Sequence, residues 1–148
     1  MMDGQSEKPL VEDPSTEDGP YAPRDKMMDI SLLLIEDDDL IRDSLLDWLD
    51  TVLLDSRVVG VSFEEVHRLF CTETPQVIVA DIALSGGDGI EAIRSLHSAF
   101  PDAQIVALAV GGDLQAQRAI AAAGADACLP IWEVHEELEP TMRRLLGL

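Results

Sequence analysis

The chain has 148 residues, of which 47% are hydrophobic, and a formal net charge of −19. This length and composition suffice for one domain with a buried core. The excess of acid argues against direct binding to nucleic acid or to an anionic membrane, because both attract clusters of lysine and arginine. No apolar run is long enough to span a membrane and the N-terminus lacks a secretion signal, so we expect a cytoplasmic protein. Cys71 and Cys128 have no spacing typical of a disulfide framework or a zinc site.

The first 28 residues differ in composition from the rest. They contain four prolines and seven acidic residues, and their few apolar residues show no period. Such segments bury too little apolar surface to fold. We therefore predict a disordered acidic tail over residues 1–28 and a folded domain over residues 29–148.

Apolar runs and amphipathic segments alternate through the folded part. Short apolar or β-branched runs predict strands over residues 30–35, 57–61, 76–81, 104–110 and 126–129. Apolar residues at helical spacing predict helices over residues 41–52, 63–70, 90–100, 114–123 and 134–145. Gly124 follows the fourth of these helices, as a C-terminal glycine does.

This alternation predicts an α/β fold: a three-layer, doubly wound, five-stranded parallel sheet with helices on both faces. The expected strand order is 2-1-3-4-5, as in flavodoxin-like folds. Sites in such sheets lie at the carboxyl ends of the strands, near the change in strand order. The residues there are Glu36 and Asp37 after the first strand and Asp81 at the end of the third.

Three carboxylates that meet at one edge repel each other. At about 4 Å and an effective dielectric of about 20, each pair contributes roughly 4 kcal/mol of repulsion. A cation or a shared proton relieves it, and oxygen ligands favour Mg²⁺. A carboxylate beside Mg²⁺ can act as a ligand or as a nucleophile. The alternative is structural: Asp38 or Asp39 caps the first helix, and Asp81 only ends a strand.

Three motifs resemble the receiver domain of two-component response regulators. They are Leu-Ile-Glu-Asp-Asp at residues 34–38 with Ile41-Arg42 beyond it, the segment 81–91 that starts at Asp81, and Gly-Ala-Asp-Ala-Cys-Leu at residues 124–129. The resemblance implies that Asp81 accepts a phosphoryl group from a histidine kinase or a phosphotransfer protein. It also implies that Mg²⁺ binds to Glu36, Asp37, Asp81 and the backbone carbonyl of Ala83.

Two positions depart from that family's pattern. Its fourth strand usually ends in Thr or Ser, where this chain has Ala109, and its fifth strand is usually followed by Lys-Pro, where this chain has Ile131 and Trp132. The only lysines, Lys8 and Lys26, lie in the predicted tail. Without the hydroxyl and the ammonium, we expect a degenerate switch and a slower or less stable phosphorylation.

The sequence therefore predicts a stand-alone receiver in a phosphorelay, since no residues remain after Leu148 for an output domain. We expect a phosphoacceptor protein, not an enzyme, with at most weak self-phosphorylation and self-dephosphorylation. By resemblance, two copies could pair through the fourth helix, fifth strand and last helix. The rival hypothesis is a phosphorylation-independent pseudo-receiver, an interaction module that binds through its acidic tail or through the surface of Ile131 and Trp132.

Overall fold

A computed structural model describes residues 29–69, 74–82, 89–111 and 113–148. Within these ranges, five parallel strands form one sheet in the order β2-β1-β3-β4-β5. The strands are β1 (Ser31–Ile35), β2 (Arg57–Val61), β3 (Val77–Asp81), β4 (Gln104–Ala109) and β5 (Ala127–Pro130). The predicted fold class and strand order are confirmed, and the predicted strand ends differ from these by at most one residue.

Helices cover both faces of the sheet. They are α1 (Asp39–Val52), α2 (Gly89–Ala99), α3 (Leu114–Ala123) and α4 (Val134–Leu146). Alternate residues of β3 point to opposite faces: Ile78 and Ala80 pack in the apolar cluster that includes α2 and α3, while Val77 and Val79 pack in the one that includes α1 and α4. Because β3 is covered on both sides, all five of its residues are buried.

The second predicted helix is not an α-helix in the described residues. The segment Phe63–Leu69 forms a 3₁₀ helix instead. Its start is held by local polar contacts, since the backbone N–H of Ser62 donates to Glu65 Oε1 at 2.9 Å. Short helical segments commonly tighten to i→i+3 hydrogen bonds, which periodicity alone does not distinguish from α-helix. A second 3₁₀ turn, Ile131–Glu133, leads into α4.

Gly124 ends α3 with a φ of 127°, a conformation that side chains rarely adopt. A Cβ at this position would lie 2.7 Å from the Cβ of His97 on α2. Both the backbone conformation and the close approach of the two helices therefore require glycine.

Asp113 is the N-cap of α3, and its carboxylate accepts a hydrogen bond from the backbone N–H of Ala116 at 2.8 Å. We expect Asp113→Ala to lower the free energy of unfolding by about 1 kcal/mol, because one N–H of the first turn loses its partner. Urea denaturation measures the change. Asp113→Asn keeps an acceptor oxygen and should be close to wild type, and equal losses in the two variants would contradict the capping role.

None of the helices in the described ranges combines the length and apolar character needed to cross a membrane.

Candidate functional site

Glu36 and Asp81 meet at the carboxyl edge of the sheet. Asp81 is the last residue of β3, and Glu36 directly follows β1, whose last residue Ile35 pairs with Ala80. The backbone N–H of Glu36 donates to Val61 of β2 at 2.9 Å, which fixes the chain as it leaves the sheet. Both carboxyl side chains have 0% of their surface exposed. The strand order thus places two acids in contact where water is excluded.

The Glu36 carboxyl group lies between a backbone donor and a second acid. Its Oε2 accepts a hydrogen bond from the N–H of Asp38 at 3.1 Å, whereas its buried Oε1 accepts none from the residues that the structure describes. The pKa of Glu36 is raised to about 8, chiefly by burial and in addition by the hydrogen-bonding contact with Asp81 and by the charge of Asp81. The two groups can share one proton or enclose a cation, but two bare charges here are unfavourable.

Asp37 is turned toward a different partner. Its side chain is exposed, and its Oδ1 accepts a hydrogen bond from the N–H of Phe63 at 2.8 Å, at the start of the first 3₁₀ helix. Within the described ranges, no three His, Cys, Asp or Glu side chains are arranged to hold a metal ion. The structure therefore brings Glu36 and Asp81 together and leaves Asp37 outside the pair. Ala83, the predicted carbonyl ligand, lies outside the described residues.

The neighbouring acids start α1. Asp38 is the N-cap, and its Oδ1 accepts from the N–H of Ile41 at 2.9 Å. Asp39 is the first helical residue and is exposed. The sequence left open that Asp38 or Asp39 caps the first helix, and Asp38 has that role. Asp39 also stabilises the helix, since an acid at a helix start interacts favourably with the helix dipole.

Arg42 contacts the same loop from the first turn of α1. Its Nη1 donates to the backbone oxygen of Glu36 at 2.7 Å, and its Nη2 pairs with the Asp39 carboxylate. Only 18% of the Arg42 side chain is exposed. From the sequence, Arg42 is only a part of the first receiver-like motif, with no role of its own. Its position could have indicated the ion pair, because Arg42, on a predicted helix, lies three residues after Asp39 and the folded part has no lysine.

The two positions that depart from the family pattern are apolar in the structure as well as in sequence. Ala109 is the buried last residue of β4, opposite Pro130 of β5. Ile131 starts the 3₁₀ turn after β5 and packs against the apolar cluster of α1 and α4. It also lines a groove of about 350 Å³ with Leu40 and Val134. A methyl group and an alkyl side chain can neither donate to a phosphoryl oxygen nor neutralise an acid.

Mg²⁺ fits the donor set at this edge. Hard cations prefer carboxylate oxygens, and the buried Oε1 of Glu36 lacks a hydrogen-bond donor among the described residues. A divalent cation would offset both the burial of the Glu36 charge, which is the main cause of its raised pKa, and the repulsion from Asp81.

A buried strand-end aspartate beside a second buried acid, in a 2-1-3-4-5 parallel sheet, is one part of the arrangement implied by the resemblance to receiver domains. The family model described as the response regulator receiver domain matches residues 32–132. The chain belongs to this family, whose members act in two-component signalling, interact with histidine kinases or phosphotransfer proteins, and are generally not enzymes.

Relatives of known family agree with this assignment. The chain is 32% identical over 95 residues to the C4-dicarboxylate transport transcriptional regulatory protein DctD of Pseudomonas aeruginosa. This match covers 64% of the chain and 20% of DctD. It is 31% identical over 121 residues to the response regulator MprA of Mycobacterium ulcerans, covering 80% of this chain and 51% of that protein. The chain thus spans at most about half the length of these relatives.

The fold also matches the signal receiver domain of a DNA binding response regulator from Colwellia psychrerythraea 34H. The TM-score is 0.71 and the identity is 24%, and the match covers 81% of this chain and 100% of that domain. At this identity the likeness concerns the fold alone.

Proposed function

We propose that the protein is a phosphoacceptor of a phosphorelay, with Asp81 as the acceptor and Mg²⁺ as the cofactor. The observation that carries this proposal is the buried pair of Glu36 and Asp81 at the carboxyl edge, with Glu36 Oε1 lacking a donor in the described part of the chain. Two buried carboxylates repel each other and are costly to desolvate. The pair is therefore suited to binding a cation or to sharing one proton.

Asp81 has the position of a nucleophile. In its ionised form a carboxylate oxygen of Asp81 attacks the phosphorus of a phosphohistidine. The P–N bond breaks, the electron pair returns to the imidazole nitrogen, and an acyl phosphate forms on Asp81. In the absence of a cation, Glu36 holds a proton more readily than an ordinary glutamate because its pKa is raised by burial and by Asp81.

The ligands proposed for Mg²⁺ are Glu36, Asp37, Asp81 and the backbone carbonyl of Ala83. When bound, the ion neutralises charge between the carboxylates and the phosphoryl oxygens. Asp37 already has one oxygen on the Phe63 N–H. Its other oxygen, Oδ2, is the atom proposed to coordinate Mg²⁺.

We further propose that the switch of this receiver is degenerate. Ala109 offers no hydroxyl to a phosphoryl group at the end of β4, and Ile131 offers no ammonium after β5. Transfer to Asp81 is then slower or shorter-lived than in a receiver with both groups, because less of the developing charge is stabilised.

The proposed partners follow from the family. A histidine kinase or a phosphotransfer protein supplies the phosphoryl group, and a second copy pairs through α3, β5 and α4. With a formal net charge of −19, direct contact with nucleic acid or an anionic membrane is not part of the proposal. The proposed location is the cytoplasm.

Incubation with Mg²⁺ and a small acyl phosphate donor tests the acceptor. We expect intact-mass spectrometry to show one added phosphoryl group on the wild type and none on Asp81→Asn. The exposed acid Asp102 supplies the matched control, since Asp102→Asn removes the same charge away from the site and should still be modified. Fluorescence of Trp132, which is 61% exposed after β5, should respond to beryllofluoride with Mg²⁺.

The second candidate is a phosphorylation-independent interaction module. It is favoured by the engagement of Asp37 with Phe63 and by the apolar groove at Ile131, next to Leu40 with 82% of its surface exposed. If the wild type gains no mass and shows no fluorescence response, and Asp81→Asn behaves identically, the phosphoacceptor proposal fails and this candidate stands.

A further inference from the structure

Arg42 is the arginine that the structure places against the carboxylate loop. The remaining six arginines of the folded part lie on other elements: Arg57 at the start of β2, Arg68 on the first 3₁₀ helix, Arg94 on α2, Arg118 on α3, and Arg143 and Arg144 on α4. No lysine occurs in residues 29–148. Arg42 is therefore the described arginine whose guanidinium contacts the Glu36 backbone, with its charge shared by Asp39.

Arg42 makes two contacts, one with the backbone of Glu36 and one with the side chain of Asp39. One nitrogen of the guanidinium holds the backbone carbonyl of Glu36 at 2.7 Å, and the other pairs with the Asp39 carboxylate. A planar guanidinium can donate in both directions at once and stays charged at all relevant pH values. Because only 18% of the side chain is exposed, water screens this charge less than it screens a surface arginine.

The field of Arg42 reaches beyond its hydrogen bonds. The pKa of Glu65 on the first 3₁₀ helix is lowered, chiefly by hydrogen bonds from Ser62 and to a smaller extent by the charges of Arg42 and Arg68. The charge of Arg42 thus acts on the segment that follows β2 as well as on the β1–α1 loop. Glu36 and Asp37 belong to that loop.

We propose that Arg42 is a positioning residue of the carboxylate site, which holds the Glu36 backbone and supplies positive charge that this chain lacks at Ile131. The inference rests on the proposed phosphoacceptor function. It predicts that Arg42 disfavours a cation and favours an anion at the site, since one fixed positive charge acts on the two with opposite sign.

Two titrations of the full chain separate charge from structure. Calorimetry measures the Mg²⁺ dissociation constant, and Trp132 fluorescence measures beryllofluoride binding at saturating Mg²⁺. For Arg42→Gln we expect Mg²⁺ to bind tighter and beryllofluoride to bind weaker, each by about two- to tenfold. Arg42→Lys keeps the charge, so both constants should stay within about twofold of wild type.

Arg94→Gln is the matched control. Arg94 also pairs with an acid three residues earlier, Glu91, but on the exposed face of α2. We expect this variant to leave both constants unchanged, because a surface pair on α2 contributes little to the site.

The outcomes distinguish the two proposals. If Arg42→Gln weakens both ligands, or changes neither, Arg42 has no charge role and the inference is overturned. If the wild type binds Mg²⁺ but not beryllofluoride, the phosphoacceptor function fails. The Mg²⁺ titration then decides the role of Arg42: tighter binding in Arg42→Gln supports it, and weaker or unchanged binding overturns it. If the wild type binds neither ligand, both proposals fall.

Discussion

Asp81→Asn should raise the free energy of unfolding by about 1–3 kcal/mol at pH 8, in the absence of divalent cations. Glu36 and Asp81 are in contact with 0% of their surfaces exposed, and their proximity raises the pKa of Glu36 in addition to the larger effect of burial. An asparagine removes one of the two acids and provides an amide donor for Glu36 Oε1. One pKa unit corresponds to about 1.4 kcal/mol, and burial of Glu36 persists in the variant, so only part of the shift is recovered.

The same pair predicts a pH dependence of stability. The pKa of Glu36 is about 8 in the folded protein against an ordinary value of 4.5, so between these values the folded state binds more protons than the unfolded state. Stability contributed by this group is therefore present below pH 4.5 and is lost as the pH rises toward about 8. The gain from Asp81→Asn should accordingly be larger at pH 8 than at pH 5.5.

Urea denaturation at these two pH values, with a chelator present, measures both effects. Asp50→Asn removes the same charge from the exposed face of α1 and controls for the high net negative charge of the chain. An Asp81→Asn variant that is no more stable than Asp50→Asn, or a gain that is equal at both pH values, would show that the carboxyl pair is not unfavourable in the wild type.

Ile131→Lys should strengthen beryllofluoride binding by about 10- to 100-fold at saturating Mg²⁺. This follows from the few kcal/mol that an ammonium contributes beside acids and an anionic ligand at a partly buried site. Ile131 is half-buried in the groove between α1 and α4, so its replacement also loses apolar contacts. The aliphatic part of a lysine can keep some of them while its ammonium extends toward the edge.

Trp132→Lys introduces the same charge one residue later, at an exposed position. It should change beryllofluoride binding by less than about threefold, because a solvated charge is screened. The fluorescence of Trp132 is lost in this control and only Trp48 remains, so calorimetry is the common measurement. Equal gains in the two variants would indicate a general charge effect, and no gain in Ile131→Lys would remove the argument for a missing lysine.

The fold could be predicted because its strands are covered on both faces. Runs such as residues 77–80, entirely apolar, have no other stable place in a chain of this size than the centre of a parallel sheet. The exception was the segment Phe63–Leu69, where apolar spacing does not separate a 3₁₀ helix from an α-helix. The hydrogen-bond pattern there depends on contacts with Ser62 and Asp37 that a local pattern does not contain.

The candidate site was predictable only as far as topology determines it. Glu36 and Asp81 meet because β1 and β3 are neighbours and both acids lie at strand ends. The direction of the Asp37 side chain could not be predicted, since it depends on the Phe63 N–H, a donor 26 residues away in the chain. The contact of Arg42 with the Glu36 carbonyl likewise requires the turn from β1 into α1 to be known.

The close contact at Gly124 limits how α3 can move. Its C-terminal end rests on His97 of α2 without room for a single added carbon, whereas Leu114 at its other end is largely exposed. A rotation of α3 about Gly124 would keep this contact, whereas a translation of the helix toward α2 would not. Ten residues of helix are about 15 Å long, so a rotation of about 10° would carry the start of α3 by about 3 Å. Because α3 follows β4, whose last residue is Ala109, that displacement would occur at the carboxyl edge of the sheet.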